Sequence, residues 1–352
     1  MATSSAARVV TPDGILSPGV VEHADGVITA VEPTTGPVPD HTLVPGFVDL
    51  QVNGIGEVSV AQATGSDWDR LDEVLARAGV TAWCPTLPTA PLDDYERPLA
   101  EITRAAERDG PRPKVVGAHL EGPFLGAVPG AHPAVLVREI DLGWLAALPD
   151  SVAIVTLGPE QPEALAAIEL LSDRDVLVAL GHTAAVLDQM TAAADSGARL
   201  VTHCFNAMAP LHQREPGPIG SALTDDRLAV SVIADLVHVH PALLHLVFRT
   251  KPQGRVAVVT DSVAGEPAPS GGVRLDDDTI AGSTVPMDQA VANLVLHCDV
   301  PLEDAVAAAS TTPARLLGLD RHGELRPGAR ADLVALDDDL RAVATWIGGN
   351  QT

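Results

Sequence analysis

The sequence predicts an α/β protein: a (β/α)8 TIM-type barrel with a small β-sandwich domain built from both chain termini. Three observations lead there. Between residues 43 and 318 of the 352-residue chain, short apolar runs alternate eight times with helical patterns. The runs are nearly continuous rather than alternating, as parallel strands covered on both faces require. The flanks, residues 1–42 and 319–352, change to short strands with tight turns. Roughly 275 residues for eight units suits such a barrel. An open, doubly wound sheet is the competing arrangement, but no G-x-G-x-x-G or G-x-x-x-x-G-K-[ST] follows an early strand.

The expected strands are residues 43–53, 80–87, 115–121, 152–158, 176–182, 200–206, 228–235 and 256–261. Ser66 stands as N-cap of the first helix, with Asp69 three residues on. Trp68, Leu71, Val74, Leu75 and Ala78 then trace one face before Gly79. Thr183 stands as cap of a later helix, with Val186, Leu187, Met190 and Ala194 on one side and Gly197 at its end. Pro241 suits a first helical position ahead of Leu243, Leu244, Val247 and Phe248. Patterns over 288–297 and 302–310 close the series. In the flanks, Ala24-Asp25-Gly26 and Arg326-Pro327-Gly328 read as tight turns, so both ends are expected to pair into one small domain.

Composition bounds the partners. Acidic residues outnumber basic ones 47 to 22, and a formal charge of −25 argues against nucleic acid or an anionic membrane surface. Cys84, Cys204 and Cys298 lack C-x-x-C spacing, so neither a disulfide framework nor a zinc ribbon is expected. With no signal-type apolar core near the N-terminus and no long apolar run, a cytoplasmic protein is the expectation.

Catalytic groups of such barrels lie at the C-terminal ends of the strands. There the chain places Gln51 and Asn53, His119 and Glu121, His182, His203 with Asn206, Asp235 and Asp261. Glu121, His182 and His203 have the His₂Glu composition of a catalytic zinc site with one position open for water; ferrous iron accepts the same ligands. Gln51 and Asn53 carry amides where a second metal would want imidazoles, which favours hydrogen bonding and one metal. A carbamylated lysine bridge and a Schiff base both fail on the lysine count. Lys114 sits seven residues before Glu121, about 23 Å back along an extended strand, and Lys251 follows a helix. Asp261 has the natural role of general base toward a metal-activated water. Asp235 is expected to orient a neighbour, and the three cysteines to be packing.

The motifs carry a family resemblance. Val44-Pro-Gly-Phe-Val-Asp-Leu-Gln-Val-Asn-Gly54 resembles the opening barrel motif of the amidohydrolase superfamily, in the Q-x-N form of N-acetylglucosamine-6-phosphate deacetylases. Gly117-Ala-His-Leu-Glu-Gly-Pro-Phe124, Gly181-His182-Thr183, Thr202-His-Cys-Phe-Asn-Ala-Met208, Arg214-Glu-Pro-Gly217, Ile233-Ala-Asp235 with His238, Val259-Thr-Asp261 and Ala281-Gly-Ser283 follow in that family's order. The tail from Gly323 to Val334 resembles the returning β-segment of amidohydrolases.

The resemblance implies a barrel over 43–318 and deacetylation of N-acetylglucosamine 6-phosphate. Glu121, His182 and His203 would be metal ligands, and Asp261 the acid/base. His132 would contact the sugar and polarise the acetamide carbonyl. Ala131, Asn206, Ala207, Ile280, Ala281 and Gly282 would border the sugar, with Gln51, Asn53 and Asp235 also assigned to substrate binding. Arg214 and His238 would recognise the 6-phosphate, with one contribution from a partner subunit, hence a homodimer. Three features depart from the pattern: Leu236 stands where a glycine is expected, placing a branched side chain near the sugar; residues 262–280 are short; and Gly54-Ile-Gly-Glu57 lacks a glycine. The competing readings are an amidohydrolase of another N-acyl or cyclic amide, and a non-catalytic sugar-phosphate-binding barrel.

Overall fold

The computed structural model describes residues 2–352. Its barrel strands pair in chain order and all parallel: β1 (Phe47–Val52), β2 (Val80–Pro88), β3 (Ala118–Glu121), β4 (Val152–Leu157), β5 (Leu177–Leu180), β6 (Leu200–Val201), β7 (Ala229–Ile233) and β8 (Val256–Val259). Neighbouring residues along one strand enter different hydrophobic clusters. Ile154, Ala179 and Ala257 fill the barrel, while Val155, Val178 and Val258 pack outward under the helices. Burial on both faces is why these runs are continuously apolar.

The ring closes between β8 and β1 through short contacts rather than a full ladder. Val52 bridges Ser262, the Asn53 N–H donates to the Ser262 carbonyl at 2.8 Å, and the Thr260 hydroxyl donates to Asp49 Oδ2 at 2.6 Å.

Several expected elements change shape. The run 43–53 is two strands. Thr42–Pro45 leaves the barrel to pair with Leu333–Leu336 and with Arg8–Thr11, and β1 begins only after Gly46. A side chain at Gly46 would sit 2.2 Å from Thr81 Oγ1, so the break needs glycine. The run 115–121 is likewise divided, into Lys114–Val115 and β3. The run 200–206 is extended only over Leu200–Val201; residues 203–207 form a turn.

Two expected caps are not made. Ser66 has helical backbone and no capping bond, while the Asp67 carboxylate accepts the Thr64 N–H at 3.0 Å. Thr183 lies four residues before its helix, Leu187–Ser196, whose Val186 N–H instead donates to Gln189 Oε1 at 3.0 Å. Pro241 does open its helix, Pro241–Thr250, behind a His240 cap. The last two patterns become Met287–His297 and Leu302–Ala309.

The termini form two sheets. One holds Ala2–Ala6, Gly19–Ala24 and Val27–Pro33; the other joins strands from both ends of the chain, including Arg8–Thr11, Thr42–Pro45, Leu333–Leu336 and Ala342–Ile347. Val21 and Ile28 from the first meet Val9, Leu43, Leu333 and Ala335 from the second in a shared apolar layer, the sandwich expected of the flanks.

Candidate active site

The strand exits carry the polar groups inward by a common backbone device. Glu121 ends β3, whereas His182, His203 and Asp261 stand two residues beyond β5, β6 and β8, all with positive φ (51°, 30° and 46°). Left-handed backbone is strained for such residues and persists where the surroundings over-determine it, typically at functional sites. The turn points three donor atoms at one spot. His182 Nε2 and His203 Nε2 lie 3.2 and 2.9 Å from Glu121 Oε1 and 3.1 Å from each other. Ligands about 2.0–2.1 Å from a tetrahedral ion stand roughly 3.3 Å apart, so the trio fits a divalent metal with little adjustment.

Hydrogen bonds select the tautomers. His182 Nδ1–H donates to the Pro129 carbonyl at 3.0 Å, leaving the Nε2 lone pair free to ligate. Glu121, His132 and His182 also lie close enough to form a metal-ligand trio. His132, however, accepts the Thr89 N–H at Nδ1, at 3.2 Å. Its neutral ring therefore carries the proton on Nε2, 3.6 Å from Glu121 Oε2, and is a donor rather than a ligand. His203 Nε2, 2.9 Å from Glu121 Oε1, is then the remaining nitrogen placed to ligate beside Glu121 and His182.

Asp261 is buried among these groups. Its Oδ1 accepts from the Gln51 and Asn53 amides, each at 2.9 Å, and Gln51 Nε2 also donates to Glu121 Oε1 at 2.7 Å. Burial, then the charge of Glu121, push the Asp261 carboxyl up to about 6, against the histidines around it. Burial also opposes the Glu121 charge, but its neighbours His132, His182 and His203 hold it well below the usual range. Burial pulls His182 down to about 4, which keeps it neutral and able to ligate. His119 takes no part: its ring nitrogens are used on the Leu50 carbonyl (2.9 Å) and Thr156 Oγ1 (2.8 Å), so it braces the barrel interior.

These groups floor a cavity of about 220 Å³. A larger hollow of about 370 Å³ lies elsewhere, against Arg315 and Glu324, which pair at 2.7 Å; among the described residues no metal-ligating cluster converges there. The catalytic-end cavity brings together Ala131, His132, Asn206, Ala207, His238, Ile280 and Ala281. Gln51 and Asn53 stand behind it on the carboxylates. Asp235 also stands behind, its Oδ2 2.7 Å from His238 Nδ1 and its Oδ1 accepting the Val237 and His238 N–H groups at 2.9 Å each. Gly282 sits one layer back, where a side chain would meet the Asp261 carbonyl at 2.7 Å. Arg214 is exposed on the 209–215 loop, outside the cavity. Leu236, expected near the sugar, has φ 64°, does not line the cavity and packs against the core.

Gly130 and Thr279 also line the cavity, though sequence reasoning gave them no role. Nor did it find Thr89, which acts through its backbone. The Pro129-Gly-Ala-His132 segment was the available signal for Gly130.

Residues 42–352 match the model of the amidohydrolase family. The chain is 38% identical to the N-acetylgalactosamine-6-phosphate deacetylase of Escherichia coli O157:H7, covering 98% of this chain and 97% of that one. It is 39% identical to the N-acetylglucosamine-6-phosphate deacetylase of Bos taurus, covering 87% and 82%.

The chain belongs to the amidohydrolase family.

Among solved structures, this amidohydrolase superposes on N-acetyl-D-glucosamine-6-phosphate deacetylase from Mycobacterium smegmatis with a TM-score of 0.93, at 36% identity over 100% of both chains. A mutant of that enzyme in complex with N-acetyl-D-glucosamine-6-phosphate matches with the same TM-score and identity over 99% and 98%. Within the amidohydrolase barrel, one carboxylate and two imidazoles beside a buried carboxyl of raised pKa can hold a metal and move a proton next to it.

Proposed function

We propose that this amidohydrolase removes the acetyl group of N-acetylglucosamine 6-phosphate, giving glucosamine 6-phosphate and acetate. The observation that carries the reading is the convergence of Glu121, His182 and His203 beside Asp261 and His132 in one cavity. Glu121, His182 and His203 would hold one divalent ion, zinc first and ferrous iron second by ligand preference. When bound, it supplies Lewis acidity, lowering the pKa of water and polarising a carbonyl.

The chain's own groups supply the rest. Both amides bind Asp261 at Oδ1, which leaves Oδ2 to take the proton of the attacking water. A carboxyl with a pKa of about 6 can then return that proton to the departing amine near neutral pH. The His132 Nε2–H, fixed by Thr89, is the donor for the acetyl oxygen as negative charge develops on it. Asn206 and the backbone of Ala207, facing Ile280 and Ala281, border the sugar ring.

The phosphate belongs at the cavity mouth. Among the described residues no lysine or arginine lines the cavity. His238, oriented by Asp235, supplies one donor, and Arg214 of a second copy supplies the charge. Arg214, exposed and outside its own cavity, and the exposed apolar Leu211 on the same loop support a homodimer as part of this reading. Three buried free thiols, Cys84, Cys204 and Cys298, support a reducing, cytoplasmic setting.

The Escherichia coli relative, named for the galactosamine epimer, favours a second reading in which the C4 epimer is the substrate. Metal analysis with acetate release from both 6-phosphates and from unphosphorylated N-acetylglucosamine tests the set. About one metal per chain and strong preference for the phosphorylated gluco sugar are expected. Preference for the galacto epimer moves the assignment to it, and acetate from none of the three refutes deacetylation.

A further inference from the structure

Glu160 follows β4, just outside the cavity, and nothing in the reaction requires it. Its carboxylate nevertheless joins two loops. Oε1 accepts the Ala127 N–H at 2.9 Å and the Ala184 N–H at 2.8 Å, while Oε2 accepts the Thr183 hydroxyl. One loop leads through Pro129 to His132. The other leaves His182 and is itself held to the Asn206–Ala207 turn, the Thr183 N–H donating to the Ala207 carbonyl at 3.1 Å. Beyond this carboxylate, the loops touch through the Pro129 carbonyl on His182 Nδ1 at 3.0 Å and a longer Val128 N–H to His182 carbonyl contact at 3.4 Å.

Two glycines make room for the join. A side chain at Gly158 would meet the Gly126 nitrogen at 2.3 Å, and one at Gly126 would meet Glu160 Oε1 at 2.1 Å. The first lets the backbones approach, and the second seats the carboxylate against the loop.

We infer that Glu160 is a positioning residue: it clamps the His132 loop to the His182 loop, and so keeps the Pro129 carbonyl on His182 Nδ1 and the ligating Nε2 aimed at the metal position. The role is geometric rather than electrostatic, since one oxygen takes both N–H groups. Glutamine can present the same oxygen and turn its NH₂ toward Thr183 Oγ1. The inference rests on His182 being a metal ligand, as the proposed function has it.

The test is metal affinity by chelator competition, using zinc and the full-length chain, with circular dichroism of the metal-free proteins as the check on folding. Glu160→Ala is expected to weaken metal binding about 10- to 100-fold, the usual effect of removing the support of a ligand. Glu160→Gln is expected to stay within about threefold of wild type, a loss too small to mark a broken ligand support. Gly126→Ala keeps Glu160 but displaces its flexible carboxylate, and should reproduce the alanine loss in a folded protein. Wild-type affinity in both Glu160→Ala and Gly126→Ala overturns the clamp alone. A glutamine variant as weak as the alanine one overturns the geometric role. Wild-type protein that binds no zinc overturns the ligand assignment, and the clamp with it.

Discussion

Replacing Gln51 with leucine tests how the acid/base is held. Gln51 is fully buried, and its single NH₂ donates to two carboxylates, Glu121 at 2.7 Å and Asp261 at 2.9 Å. Hydrogen bonds to charged groups contribute about 1.5–3 kcal/mol each. Only the ionised form of Asp261 gains that stabilisation in full, so its loss raises the pKa by roughly 1–2 units at 1.36 kcal/mol per unit. Asn53 still donates to the same oxygen, which favours the lower end. Asp261 must be ionised to accept the proton of water, so a higher pKa moves the acid limb of kcat/KM upward. The starting point is about 6 in the metal-free protein, and a bound cation lowers both enzymes alike. Metal-loaded Gln51→Leu, assayed by acetate release from about pH 5 to 9, should lose most activity on the acid side and regain it at high pH. A uniform loss at every pH, with the limb unmoved, would falsify the account of Gln51 as the group that sets Asp261.

Three further outcomes follow from the same geometry. Asp261→Asn should keep its metal, measured by elemental analysis, and lose about 10²–10⁴ in kcat; wild-type turnover removes Asp261 from the mechanism. Arg214→Ala should raise KM for the phosphorylated sugar about tenfold or more, the loss of one charge-assisted phosphate contact, and leave hydrolysis of the unphosphorylated sugar unchanged. Equal effects on both would place Arg214 elsewhere. Asp49, fully buried, is pushed up to about 7, chiefly by burial, with Thr260 and Gln51 hydrogen bonds opposing. A raised native pKa gives stability that is present below about 4 and lost as pH rises through 7, on the order of 4 kcal/mol in all. Asp49→Asn cannot titrate, so denaturant unfolding should show its stability relative to wild type rising between those limits; a pH-independent difference contradicts the shift.

Most of the barrel was legible because burial on both faces writes itself as continuous apolar runs. Its irregularities were not. The split at Gly46 depends on how closely Thr81 approaches, a contact between strands 35 residues apart that no local pattern encodes. The caps at Ser66 and Thr183 failed for a related reason: Ser66 takes helical backbone and Thr183 lies four residues before its helix, while Asp67 and Gln189 accept the Thr64 and Val186 N–H groups just ahead of the helices. The side chains proposed to ligate a metal and move a proton are polar groups at the ends of apolar runs and so stood out. Thr89 and Pro129, which fix the two tautomers through main-chain atoms, have no side-chain signature at all. Glu160 lies among ordinary acidic residues in a chain of charge −25, and only its three partners distinguish it. Gln51 and Asn53 were visible as amides where imidazoles would serve a second metal. That they lean on the carboxylates rather than the sugar required the fold.

The closure between β8 and β1 has a consequence for synthesis. Glu121, His182 and His203 come from the middle of the chain, whereas Asp261 reaches Gln51 and Asn53 across about 210 residues of sequence. On the proposed mechanism, the polypeptide emerging from a ribosome therefore possesses all three proposed metal ligands well before it can seat its proposed acid/base. A chain truncated ahead of β8 would carry the three proposed ligands but not Asp261, the group proposed to move the proton. On that mechanism turnover would report that the last seam of the barrel has shut, which metal content alone would not.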